Sequence, residues 1–387
     1  MRKKIFNISL ALLCLSSGLK AQDLVDSQLK YPIQNALQTN RELIGKSYEK
    51  DKTSIEASSV KNKLTPHISA NALYGYLNAQ GNIDVPTYTS PNNLINLFEG
   101  SRDFKTQGQM GLVAVTATQV IFSGLQITHG QKALQEKAKA QELMIEADKE
   151  SIAKSVISTF DQLMLLKEVD KLIQDSEIRL EKEHLKVIKA IENGLAIPYD
   201  RDKLKLAILE LEAKKVELHG NKELLYNKLA QDTHLPLEEL KKIDYTLDHI
   251  ILQERVYNIL ERKEIQALDA SQRAFEYVLK KEKGSALPQV FAFGSAAYSN
   301  IFNSSLTLKQ IPAFGNLNLR TNSLSFFPTF IIGVGAKWDV FTGNEHKNKI
   351  KSANLDLLIN QNKKEDISEK LELLLQKNQV EYQTANQ

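Results

Sequence analysis

Val120-Ile121-Phe122-Ser123-Gly124-Leu125-Gln126 and Asp339-Val340-Phe341-Thr342-Gly343-Asn344-Glu345 are two copies of one pattern: aliphatic, Phe, Ser or Thr, Gly, any residue, Gln or Glu. An alternating run precedes each copy, and a long run of helical periodicity follows it. Ser123 and Thr342 are candidate N-caps, with Gln126 and Glu345 placed three residues on, where a capping box needs them. Gly124 and Gly343 permit the turn from an extended to a helical path. Each copy is predicted to be a junction where a strand ends and a helix begins.

The repeat extends upstream. Leu64-Thr65-Pro66-His67-Ile68-Ser69-Ala70 aligns with Ala286-Leu287-Pro288-Gln289-Val290-Phe291-Ala292. Pro66 and Pro288 each close a Lys-rich helical pattern and open an alternating one, which suits a helix-to-strand boundary. The two prolines are 222 residues apart and the two glycines 219. A near-constant offset across two separate motifs predicts duplication of a helix–strand–loop–strand–helix unit.

Arg2, Lys3 and Lys4 precede a short apolar run from Ile8 to Leu15, and Gly18-Leu19-Lys20-Ala21 follows. This is the pattern of a secretory signal peptide over residues 1–21, with a core too short to span a bilayer. The domain reading is therefore signal peptide 1–21, first repeat 22–251 and incomplete second repeat 252–387. Of the 50 Lys and Arg residues, four lie in 1–21; the remaining 46 face 47 acids, a net of −1. That balance gives no support to nucleic-acid binding. Cys14 is the single cysteine, so the mature chain is expected to lack disulfides and thiol chemistry.

Residues 24–63 read as helix, with Leu24, Leu29, Ile33, Leu37 and Leu43 as candidate buried positions. In residues 66–76, Ile68, Ala70, Ala72, Tyr74 and Tyr76 share one face, and His67, Ser69 and Asn71 the other. Residues 77–105, rich in Asn, Gly, Pro and Ser, are expected to form a long loop. Val113, Val115, Ala117 and Ile121 alternate with Thr116 and Thr118; Ile332, Val334, Ala336, Trp338 and Val340 alternate with Gly333, Gly335, Lys337 and Asp339. The strand at 288–298 is less regular, because Phe291 and Phe293 share parity with Gln289 and Ser295. Aromatics near both strand ends fit the girdles of a membrane barrel and equally fit the cross-strand pairs of a soluble sheet.

Residues 125–192 contain no proline and, besides Gly130, no glycine. One helix over that range would be about 100 Å long, a length found in coiled coils. Ile152, Val156, Phe160, Leu163, Val169 and Ile173 form an apolar stripe. The returning segment carries one stripe through Leu204, Ile208, Leu211, Leu218, Leu225 and Leu229. Leu206, Leu209 and Val216 form a second. Two apolar faces call for neighbours on two sides. Between the segments lies Asn193-Gly194-Leu195-Ala196-Ile197-Pro198-Tyr199-Asp200. Gly194 suits a C′ position, Pro198 a first helical turn, and Asp200 the positive end of the helix dipole. A helical hairpin with a tight tip is expected.

The duplicated unit, the proline-opened strand, the Phe-x-Gly junction and the tip pattern at Gly194, Leu195 and Asp200 together resemble the TolC-type outer-membrane efflux channel family. The resemblance covers nearly the whole mature chain. It implies an α+β membrane protein whose four strands join those of two other copies in a trimeric transmembrane β-barrel. Long antiparallel helices would form an α-helical barrel in the periplasm of a Gram-negative bacterium. It also implies a homotrimer in outer-membrane lipid that meets a periplasmic adaptor protein at its tips, and through it an inner-membrane pump. Four strands alone cannot close a membrane barrel, and an open edge cannot face lipid.

The function expected is a passive conduit of a tripartite efflux or type I secretion system, without cofactor, metal or catalysis. The seven histidines are scattered, and Glu181-x-x-His184 has only one half of a di-iron helical motif, amid charged neighbours. The alternative class is a periplasmic coiled-coil adaptor or scaffold, which would carry the hairpin without alternating, aromatic-bounded strands on both sides of it. Leu195, Ala196 and Ile197 are read as an adaptor-docking patch, or else as a contact between neighbouring tips. Gly194 follows Gly124 by 70 residues, which would place a second tip near position 413, beyond Gln387. The sequence-based expectation is a C-terminally truncated member that lacks the family's entrance-gate residues and cannot seal a conduit unaided.

Overall fold

The computed structural model describes residues 25–84, 88–89, 96–98, 101–247, 258–311 and 315–386. The expected signal peptide, Leu24 and the boundary between the two sequence repeats lie outside the described residues. Two compact units are formed, one by the described parts of Met1–Ser47 and Ile145–Asn258, the other by those of Tyr48–Met144 and Ile259–Gln387.

In chain order the elements are α1 (Lys30–Thr39), α2 (Arg41–Asn62), β1 (His67–Asp84), β2 (Tyr88–Thr89), β3 (Asn96–Phe98) and β4 (Ser101–Phe122). There follow α3 (Gln126–Glu192), α4 (Pro198–Thr233), the short α5 (Leu237–Leu240) and α6 (Lys263–Gly284). The chain continues through β5 (Gln289–Ile311) and β6 (Gly315–Lys337) to α7 (Glu345–Ala385). The single N-terminal helix expected from the pattern is two helices. Asn40 leaves the helical region at ψ 112°, and its Oδ1 accepts from the Leu43 amide, so it ends α1 and caps α2.

The first unit has one apolar core. Leu29, Ala36, Val156, Phe160, Leu163, Tyr226, Leu229 and Leu240 are buried there. The predicted stripe on α3 supplies Val156, Phe160 and Leu163, and the first stripe on α4 supplies Leu229; Tyr226 and Leu240 lie outside both stripes. The second stripe on α4 is exposed: Leu206, Leu209 and Val216 lie 57%, 53% and 74% open to solvent. The α3–α4 pair is also tied by Lys222–Asp170 at 2.6 Å and Lys215–Glu177 at 2.8 Å. Behind α4, Tyr245 Oη donates to Asp161 at 2.6 Å, and Lys167 Nζ reaches Asp244 at 3.0 Å. Burial and the Asp161 carboxylate push the Tyr245 phenol well above its ordinary range.

The second unit holds an antiparallel sheet in the order β1-β4-β5-β6, and β1 and β6 are its two edges. Its strands reach far into the stretch expected to be a loop. β1 continues to Asp84 and β4 begins at Ser101, paired without interruption from His67–Thr118 to Asp84–Ser101. The polar residues at 77–84 mark a change of surroundings and leave the backbone pairing intact. The register also explains the irregular parity of β5. Phe291 is paired with Gly335 and Phe293 with Gly333. A Cβ at Gly335 would lie 2.6 Å from the Phe291 ring, and one at Gly333 3.0 Å from that of Phe293. Each ring lies over a glycine across the strand, which lets an aromatic sit on the polar face without crowding.

On the opposite face, apolar side chains stand unburied. Ile68 is 69% exposed, Val113 53% and Ile332 88%. Tyr76, Gln109 and Phe302 form one row across three strands. Against this unit's α6, α7 places Asn360, whose amide reaches the Leu268 carbonyl and whose Oδ1 accepts from Ser271; Lys364 meets Asp269 at 2.6 Å. Among the described residues no helix is long and apolar enough to cross a membrane.

Candidate functional site: the strand-to-helix junctions and the hairpin tip

The duplication is visible in backbone hydrogen bonds. After α2, the amides of Lys63, Leu64 and Thr65 donate to the carbonyls of Val60, Lys61 and Asn62. After α6, those of Ser285, Ala286 and Leu287 donate to Glu282, Lys283 and Gly284. Each series ends at its proline, Pro66 or Pro288, and a strand starts at the next residue. Proline closes both turns because it has no amide to continue the series.

At the first strand-to-helix junction, Ser123 is buried, and Gly124 and Leu125 take left-handed backbone at φ 62° and 63°. The Gln126 amide donates to the Ser123 carbonyl and the His129 amide to that of Leu125, so α3 starts two residues later than a cap at Ser123 would set it. The Ser123 hydroxyl accepts from the Ile127 amide at 3.3 Å, and Gln126 forms no return bond. The capping box expected here is thus replaced by a two-residue left-handed turn. A Cβ on Gly124 would overlap the Gly284 carbonyl oxygen, and one on Gly284 would overlap that of Gly124. The end of α6 and the start of α3 meet backbone to backbone, and glycine is required on both sides. Gly284 carries no sequence motif of its own; only its place 222 residues after Asn62 marks it.

The second junction shares the left-handed glycine alone: Asn344, which stands where Leu125 does, has φ −101°, and the contact is lacking. Gly343 has φ 63°, and nothing lies within 4 Å of the point where a Cβ on it would stand. Asn344 is the N-cap of α7 without a side-chain cap bond. The expected Thr342–Glu345 capping box is not formed: Glu345 instead pairs with Lys349 at 2.6 Å, one turn on, which holds its carboxyl below the usual range. Phe341 is 87% exposed, against 37% for Phe122. Beside the first junction, a cleft of 980 Å³ is lined by Pro66, His67, Thr118, Ser123, Gln126 and Lys281, among others.

At the tip, α3 closes in a Schellman motif. The Leu195 amide donates to the Ala190 carbonyl, and the Gly194 amide to that of Ile191, with Gly194 at φ 71°. Pro198 opens α4, and Asp200 accepts from the Ile197 amide at 3.2 Å. Ala196 is half-buried, while Leu195 is 83% and Ile197 60% exposed. Two rigid helix ends therefore present two bare aliphatic side chains.

No protein-family model and no curated protein matches the sequence. Solved structures do. The outer-membrane channel OprN matches at a TM-score of 0.68 and 13% identity, over 89% of this chain and 71% of its own. The outer membrane protein VceC of Vibrio cholerae matches at 0.64 and 16%, over 88% and 75%. The CmeC outer membrane channel of Campylobacter jejuni matches at 0.65 and 15%, over 88% and 68%. The fold is that of the outer-membrane channels. This chain builds that fold from a duplicated unit and a long helical hairpin.

Proposed function

We propose that this chain is the subunit of an outer-membrane efflux channel, a passive conduit in a tripartite export system. The observation that carries the reading is the sheet: four strands with two open edges, and a face whose apolar side chains stand in no core. Unpaired edge amides and exposed Ile68, Val113 and Ile332 are costly in water. Lipid covers such a face, and pairing of β6 with β1 of another copy removes the edges. Three copies would give twelve strands, and the exposed second stripe of α4 would meet a neighbouring helix. A coiled-coil adaptor has no use for such a sheet. The test is extraction: the protein should remain in the outer-membrane fraction after osmotic shock and run as a heat-modifiable oligomer. Release as a freely soluble protein would sink this reading.

The tip is proposed to dock a periplasmic adaptor through Leu195 and Ile197. Leu195→Asp should abolish export while the oligomer survives. Loss of the oligomer as well would assign Leu195 to contacts between tips.

A further inference from the structure

The side of the sheet that carries Ile68, Val113 and Ile332 ends toward the helices in bare apolar side chains: Trp338 is 59%, Val340 74% and Phe341 87% exposed. The cleft beside the first junction lies on the other side, where His67, Thr118 and Phe291 line it. It gives three helices a reference face, because Ser59 of α2, Gly130 of α3, and Val278 and Lys281 of α6 line it as well. A residue two positions further along a helix stands about 200° around it, on the side that continues the apolar side of the sheet. Those residues are Lys61, Lys132, Lys280 and Lys283.

The duplication repeats the arrangement. Lys61 and Lys283 each stand five residues before the proline that precedes a strand, and Lys132 and Lys351 each stand eight residues after a junction glycine. Lys347 lies one turn before Lys351 on the same face of α7. All six lysines are exposed, and among the described residues none of them has a carboxylate partner. Lys281 and Lys349, on other faces of the same helices, are paired, with Glu282 at 2.9 Å and Glu345 at 2.6 Å. Lys132 and Lys280 stand over one ring, that of Tyr277, at 5.6 and 5.1 Å, two like charges without an anion. Glu276, one turn along α6, is bonded instead to Gln272. The helix dipole accounts for Lys61 and Lys283 in the last turns of α2 and α6; it opposes Lys347, at the positive end of α7.

We infer that these six lysines form a basic band that binds the phosphate groups of anionic phospholipids in the leaflet on the helix side of the membrane. The inference rests on the channel reading. Eight residues of helix rise about 12 Å and five about 8 Å, so the lysines follow closely on Trp338 and Phe341, which mark the edge of the apolar layer. Their long stems bring the ammonium groups to the level of the headgroups. Clustered lysines beside a bilayer enrich acidic lipids locally. A lipid phosphate near Lys132 and Lys280 supplies the anion that the chain itself lacks there. Because the band adjoins the surface that acyl chains would cover, a lipid headgroup suits it better than phosphate in solution.

The test uses Trp338, the single tryptophan of the chain, which stands beside the band. The full chain is reconstituted in vesicles of phosphatidylcholine and phosphatidylglycerol, with bromine on the acyl chains of one lipid or the other. At equal mole fraction, brominated phosphatidylglycerol should quench Trp338 several-fold more strongly than brominated phosphatidylcholine. Lys132→Gln with Lys280→Gln and Lys347→Gln should bring the two close to equal. Lys63→Gln with Lys281→Gln and Lys349→Gln removes the same charge from other helix faces and should keep the preference. Quenching by brominated phosphatidylcholine reports insertion of every variant, and Lys347→Gln alone, at an exposed position, should lower the preference in part. A wild type without preference, a first triple variant that keeps it, or a second that loses it overturns the band, while quenching by brominated phosphatidylcholine leaves the channel reading standing. Loss of the preference in inorganic phosphate but not in chloride of equal ionic strength assigns the lysines to free phosphate and overturns the lipid. Absence of quenching by either lipid overturns both readings.

Discussion

The two strand-to-helix junctions share a sequence pattern and a left-handed glycine, yet only one is packed. Gly124 lies against the backbone of Gly284, whereas Gly343 has open space on the side where its Cβ would point. The local motif therefore encodes the left-handed glycine, and the contact comes from what the chain brings beside it. In the first junction the second repeat supplies the end of α6. By the 222-residue offset, the element that would serve Gly343 in the same way is the end of α2, at Asn62. One junction of the duplicated chain is thus packed within the chain, and the other is left open.

Alanine at these glycines should separate the two conditions most strongly. Gly124→Ala adds an overlap with backbone to left-handed strain, and its cost should be about 3 kcal/mol or more. Gly343→Ala adds the strain alone, about 1–2 kcal/mol. Gly284→Ala is the control for overlap without left-handed backbone, and it should fall between them. The temperature at which the heat-modifiable oligomer dissociates reads all three. If Gly343→Ala is as damaging as Gly124→Ala, a segment of another copy fills the open side in the assembled protein, and the comparison between the junctions holds for the single chain only.

Much of this was legible in the sequence, because the periods are physical. Helical stripes such as Val156, Phe160 and Leu163 are buried as a 3.6-residue repeat requires, and the tip follows from Gly194 and Pro198. Four features were not legible for identifiable reasons. The strands beyond Tyr76 read as loop because residues 77–105 are rich in Asn, Gly, Pro and Ser, when backbone pairing tolerates Asn, Gly and Ser wherever one face meets water. The capping boxes failed because a two-residue left-handed turn shifts the α3 start beyond Ser123, and because Glu345 finds Lys349 nearer than a cap amide. Gly284 and the phenyl-over-glycine pairs involve residues far apart in sequence, and local pattern has no access to register. Asn40 broke the N-terminal helix where the apolar period was otherwise continuous, its side chain competing for the backbone of α2.

The smallest expected effect concerns a histidine near each helix start. His346, in the first turn of α7, shares a hydrogen bond of 3.0 Å with Ser285 Oγ. His129, in the first turn of α3, stacks on Tyr277 at 6.0 Å, and its Nδ1 is buried without a partner. Lys132 and Lys280 lie over the same Tyr277 ring at 5.6 and 5.1 Å. Burial first, then these two ammonium groups, lower the His129 pKa below its ordinary value. The folded protein thus resists protonation that the unfolded chain accepts near pH 6.5. As pH falls through the unfolded value toward the lower folded one, the unfolded state gains a proton first and stability declines; above the unfolded value no penalty exists. His129→Gln keeps a polar side chain of similar reach and removes the titration. Oligomer dissociation measured between pH 8 and pH 5 should fall off more for the wild type than for His129→Gln, with the two differing least at pH 8 in their dependence on pH. Parallel curves across the range would mean that His129 is solvated in the assembled protein and that its contact with Tyr277 does not set the first junction apart from the second.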